Sequence, residues 1–194
     1  LLNIDPQGVK RLEEIPFLPI ESFKHHRILT GKDQWEQVFI SSGTTAMERS
    51  RHYIKDLDLY RKSFLRAFEQ FYGPVSKYCI LALLPGYLEQ KHSSLVFMVD
   101  ELITRTGHPD SGFYLSEYAS LANKLKQLEE QNQQVMLFGV SHALIDMALK
   151  YDYQLKNTIV METGGMKGRR KEITREELHE TLMKAFGVDR IHSE

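Results

Sequence analysis

The chain has 194 residues, with 25 lysines and arginines against 26 aspartates and glutamates and a formal net charge of −1. That is enough chain for one full domain of ~100–200 residues, and the balance leaves no basic excess to hold nucleic acid or an anionic membrane by electrostatics. No apolar run approaches the ~20 residues needed to span a bilayer, so the composition predicts a globular protein without an integral membrane segment.

Residues 1–35 mix Pro6, Pro16 and Pro19 with scattered apolar side chains. The stretch 15–20 reads as extended chain, because each proline disfavours helix in the residue before it. His25 and His26 are adjacent and flanked by Lys24 and Arg27. They read as solvated surface, and no Cys/His group has metal-ligand spacing, so no metal site is expected.

A predicted strand over 37–40 ends abruptly in Ser41-Ser42-Gly43-Thr44-Thr45, and a second predicted strand covers 51–54. A hydroxyl-rich, hairpin-like loop can hold a polyphosphate. Glycine lets the backbone approach the oxygens, and successive N–H groups and hydroxyls donate to them. The loop is neither a Walker A motif nor a G-x-G-x-x-G dinucleotide turn. A plain turn joining two strands is the alternative reading.

Asp56 opens a predicted helix to Tyr72, with Leu57, Tyr60, Phe64, Phe68 and Phe71 at helical spacing. Gly73-Pro74 ends it. The continuous apolar run 78–84 predicts a strand buried on both faces, and Pro85-Gly86 breaks it. A helix over 93–106, a loop over 107–112 and a charged amphipathic helix over 116–131 follow. A second buried strand is predicted over 135–140, a helix from about 142 to 150, and a third strand over 158–161. Thr174 and Glu177 form a capping box that opens a helix to Phe186, and a fourth strand is predicted over 188–192.

Buried strands alternating with helices predict an α/β fold, a mainly parallel sheet flanked by helices, to which the hairpin-like loop is added. Ligands of such sheets sit beyond the carboxyl ends of the strands. Pro85-Gly86, Ser141-His142, Gly164-Gly165 and Ser193-Glu194 fall there. Cys79, the only cysteine, excludes an internal disulfide and fits a reducing, cytoplasmic setting. It lies inside an apolar strand without a base and is assigned no role.

Four segments together carry a family resemblance. Ser41-Ser42-Gly43-Thr44-Thr45 after an apolar strand resembles the phosphate loop of the adenylate-forming enzymes, the acyl-CoA synthetase superfamily. Glu162-Thr163-Gly164-Gly165-Met166-Lys167-Gly168 follows a later strand, then come Ile173-Thr174-Arg175-Glu176-Glu177-Leu178 and Arg190-Ile191-His192-Ser193-Glu194. This order resembles the acyl-protein synthetases, the LuxE-like long-chain-fatty-acid–protein ligases, from about Phe17 to Glu194.

The resemblance implies an AMP-binding N-terminal domain over 1–194. It implies ATP with Mg2+, a fatty carboxylic acid activated as an acyl adenylate, and transfer to a thiol on an acyl-carrying protein or other acceptor. Ser41, Ser42, Gly43, Thr44 and Thr45 would hold the phosphates. Gly164, Gly165, Met166, Ser193 and Glu194 would meet the adenylate, and Ser141 and His142 would border the acyl pocket. Ala46 stands where the family has glycine, and Arg49 and Arg51 supply the charge of a nearby lysine. The family's Tyr-Gly-Met-Thr-Glu continuation and C-terminal lobe are not in the sequence. The expectation is therefore an N-terminal-domain fragment, inactive by itself, with the acyl-accepting cysteine elsewhere.

Plainer readings stand beside these. Gly164-Gly165 could be a strand-end turn with Lys167, Arg169, Arg170 and Lys171 solvated. Ser141 could be a helix N-cap followed by a surface histidine. Leu83, Leu84, Phe97, Met98, Met136, Phe138 and Met147 could line an acyl tunnel or simply fill the core. Gly139-Val140-Ser141-His142-Ala143 approximates the nucleophile elbow of a serine hydrolase, with Asp152 and His179 as triad partners. Its final glycine is replaced by alanine. A non-catalytic binding module is the remaining reading.

Overall fold

A computed structural model describes residues 6–31, 34–41, 48–86, 92–164 and 173–194. The chain divides into two compact units, Leu1–Leu57 and Asp58–Glu194.

In the first unit a short helix α1 (Ser22–His25) precedes two strands, β1 (Gln37–Ile40) and β2 (Arg51–Ile54). The strands pair antiparallel, with Gln37 opposite Ile54 and Ile40 opposite Arg51. Phe39 and Ile54 are buried. Trp35 packs edge-on against Tyr53 with ring centroids 5.2 Å apart. The segment before α1 carries exposed apolar side chains, Phe17 and Ile20 among them.

The second unit holds a five-stranded, all-parallel sheet. Its members are β3 (Cys79–Leu83), β4 (Gly112–Tyr114), β5 (Val135–Gly139), β6 (Thr158–Glu162) and β7 (His192–Ser193), in the order β4-β3-β5-β6-β7. The helices are α2 (Leu57–Tyr72), α3 (Ser94–Thr106), α4 (Tyr118–Glu130), α5 (Ser141–Ala148) and α6 (Arg175–Phe186). The α/β class and the parallel sheet agree with the sequence reading.

Side-chain alternation sorts the core into two layers. Leu81, Leu83, Val135, Leu137 and Val160 face one side and pack with Leu125 of α4, Leu144 of α5 and Phe186 of α6. Ile80, Ala82, Met136, Phe138 and Met161 face the other and pack with Phe68 of α2 and Leu102 of α3. Burial on both faces is why these strands read as unbroken apolar runs. Strand order reverses between β3 and β5, which makes their carboxyl ends the switch point where such folds open a crevice.

Local chemistry sets the helix ends. The Ser93 hydroxyl accepts from the Val96 N–H at the start of α3. The Thr174 hydroxyl accepts from the Glu177 N–H, while the Glu177 carboxylate accepts from the Thr174 N–H, closing the predicted capping box.

The two edge strands of the sheet differ most from the sequence reading, and other element ends shift by one or two residues. The predicted loop over 107–112 ends in strand β4, a segment too short to show a periodicity. The predicted strand over 188–192 contracts to β7, because the chain enters the sheet beside Met161 and Glu162 only at His192 and Ser193.

Candidate functional site at the carboxyl ends of the strands

Parallel register brings one row of strand-end residues together. Tyr114 pairs with Leu83, Leu83 with Gly139, Gly139 with Glu162, and Glu162 with Ser193. Gly139 is required at its place in this row. A Cβ there would lie 2.6 Å from both Cγ and Cδ2 of Leu144, so only glycine lets α5 cross so close to β5.

Glu162 lies on the α5/α6 side of the row and is only 2% exposed. A carboxylate that deep must be paired, and three donors converge on it. The Ser141 hydroxyl donates to Oε2 at 3.0 Å. The Gly164 N–H donates to the same oxygen at 2.7 Å. The Ser193 hydroxyl donates to Oε1 at 2.8 Å. Gly164 has φ +72°, a left-handed turn that suits glycine, and its N–H meets the carboxylate two residues back.

Two cationic or titratable groups from α6 complete the cluster. Arg175 Nε stands 3.9 Å from Oε1, and His179 Nε2 stands 3.8 Å from Oε1 and 3.4 Å from the Ser193 hydroxyl. Burial pushes the Glu162 carboxyl up. The bonds from Gly164, Ser193 and Ser141, with the Arg175 charge, outweigh it and hold the group below the usual glutamate range. Glu162 is therefore a buried carboxylate, with exposed Gly164, Ser193 and Arg175 around it.

The predicted site residues fall as follows. Ser141, Gly164 and Ser193 are brought together around Glu162. His142 is buried at 6% exposure, so it is not the surface histidine of the plain reading. Ser141 is not an N-cap either. It is the first residue of α5 after Val140, and no side chain caps the helix. Glu194 is exposed and continues the ladder, its N–H donating to the Glu162 carbonyl at 3.1 Å. Partial loss of hydration at its carboxyl, and then the Glu162 charge, raise it.

Ser41 belongs to the first unit. Its hydroxyl accepts from the Ser50 N–H at 3.0 Å, and its own N–H donates to the Ser50 carbonyl at 3.0 Å, which extends the β1–β2 hairpin. Ser42, Gly43, Thr44 and Thr45, together with Gly165 and Met166, lie outside the described residues.

Of the tunnel candidates, Leu83, Leu84, Met136, Phe138 and Met147 are buried core. Cys79 is fully buried, and burial pushes its thiol up to about 11. An open groove is lined by Lys156, Thr158, Arg190 and His192 among others, and Glu162 is not part of its lining. Among the described residues no group of three or more His, Cys, Asp or Glu could hold a metal ion, and no helix is long and apolar enough to cross a membrane.

Sequence reasoning did not single out Glu162 as a site residue. The signal was present: an acidic residue that ends a strand buried on both faces needs partners within reach. Arg175 and His179 are a helical turn apart on α6, and only the packing of α6 against α5 brings them to it.

Comparison with protein-family models, curated proteins and solved structures finds no match to this chain.

Proposed function

We propose that this protein belongs to an ATP-dependent carboxylic-acid ligase of the acyl-protein synthetase type. It would form an acyl adenylate and pass the acyl group to a thiol. The reading rests on one observation above the others: Ser141, Glu162-Thr163-Gly164 and Ser193 meet at the carboxyl ends of three neighbouring parallel strands. Ligands of open α/β sheets bind at that edge, and two of the four motif segments that carry the family resemblance contribute residues there, Glu162 with Gly164 and Ser193.

Chemically, a free carboxylate is a poor electrophile, and attaching AMP supplies a good leaving group. The carboxylate oxygen attacks the α-phosphorus, and the bond to pyrophosphate breaks. The protein's part is to align the two anions and offset their repulsion. In this reading the strand-end cluster takes the nucleoside, and magnesium arrives with the ATP. The hydrolase reading gains no support from the cluster, since the Ser141 proton is directed at Glu162 and His179 reaches Ser193 instead.

ATP–pyrophosphate exchange on the protein expressed from its complete reading frame tests this. The acid panel should run from short aromatic to long aliphatic. Exchange that depends on a long-chain acid, and is abolished by Thr44→Ala with Thr45→Ala, is the expected result. Absence of exchange with every acid from a folded protein overturns the proposal.

A further inference from the structure

The donors around Glu162 also fix where each proton in the cluster lies. Oε2 already accepts from the Gly164 N–H, and Oε1 faces the Arg175 guanidinium. Both oxygens are therefore acceptors, and a hydroxyl has only one proton to give. Ser141 spends its proton on Oε2 and Ser193 spends its proton on Oε1. Ser193 Oγ is left with lone pairs alone. Its contact with His179 Nε2 at 3.4 Å then has one sense, with Nε2–H donating. Ser141 is 2% exposed and ties α5 to β6, whereas Ser193 is exposed.

We propose that Glu162 is a positioning residue that sets the hydrogen-bond polarity of the site, so that Ser193 accepts from a ligand's N–H or O–H and disfavours phosphate or carboxylate oxygen. Naming that ligand group rests on the adenylate reading above. There it places an amino group of the base, and neither a phosphate nor the acyl carboxylate, at Ser193. The specificity is for an amino-substituted purine over its oxo counterpart. Gln at 162 would relax it. With Oε1 accepting from Ser141 and Gly164, the amide Nε2 faces Ser193, whose hydroxyl turns to accept and frees its proton for an oxo group.

The test compares binding of ATP and inosine triphosphate to the protein from its complete reading frame, in the natural sequence, Glu162→Gln and Ser193→Ala. Alongside it, the 15N NMR signals of His179 in the ligand-free protein, above neutral pH, report which ring nitrogen carries the proton. The natural sequence should bind ATP ~10–100-fold more tightly than inosine triphosphate, as expected when the bound base covers Ser193 and sets an acceptor against an acceptor. Both variants should narrow that ratio, and His179 should be protonated at Nε2. Equal binding of the two nucleotides, or a ratio unchanged in both variants, overturns the inference. If neither nucleotide binds, the ATP reading fails, and the tautomer decides the polarity separately. An Nε2–H ring upholds it, and an Nδ1–H ring overturns it. If Glu162 were only a stabilising group, Glu162→Gln would leave the nucleotide ratio unchanged.

Discussion

Replacing Glu162 with glutamine should destabilise the protein in a pH-dependent way. Three hydrogen bonds end on the carboxylate, from Ser141, Gly164 and Ser193. A bond to a charged group contributes ~1.5–3 kcal/mol and a neutral one ~0.5–1.5. Neutralising the acceptor therefore weakens the three by about 3–4 kcal/mol in sum. Relief of the cost of burying a charge offsets part of that, and leaves a net loss of about 2 kcal/mol. In urea, where small proteins have m of ~1–3 kcal/mol/M, this moves the midpoint down by about 1 M.

The pH dependence has a definite sign. The folded-state pKa of Glu162 lies below the ordinary 4.5. Its stabilisation is complete above the unfolded value and is lost as pH falls through the folded one. The natural protein should thus exceed Glu162→Gln by the full margin at neutral pH, and the margin should shrink on acidification below about pH 4.5. Urea titrations of both proteins across this range measure it. Equal stability at neutral pH, or a margin that grows as pH falls, would refute the account of Glu162 as a charged, paired group.

Two further outcomes test the surroundings of the site. Gly139→Ala puts a Cβ 2.6 Å from Leu144 and should cost ~1–3 kcal/mol through overpacking. A double-mutant cycle with Leu144→Ala should show the clash relieved, and strict additivity would contradict it. Cys79, fully buried and with its thiol pushed up to about 11, should resist alkylation in the native protein and react faster as urea opens the fold. Prompt native-state labelling would mean that β3 is not the buried strand described.

Strand and helix identity was legible wherever one residue's chemistry decided it. Residues 79–83 and 135–139 are apolar without interruption because both faces are covered, and no solvent-facing position breaks the run. Thr174 and Glu177 satisfy each other's backbone within one turn, so their box could be read from spacing alone. Gly112-Phe113-Tyr114 could not be read, since three residues in a strand gain their place from the neighbouring Leu81–Leu83 ladder and not from a pattern of their own.

The candidate site divides along the same line. Sequence alone placed Ser141, Gly164 and Ser193 after strands, and so at one edge of a parallel sheet. It could not show that they share a partner, because Ser141 and Glu162 are 21 residues apart and Glu162 and Ser193 are 31 apart. Strand order and register decide that. Placing β5, β6 and β7 side by side puts Gly139, Glu162 and Ser193 in one row, and a glycine in that row lets α5 come close enough for Ser141 to reach the carboxylate. Local propensity acts over a few residues and sets the elements. The charge state of Glu162 and the direction of each hydroxyl depend on groups that only the folded sheet assembles.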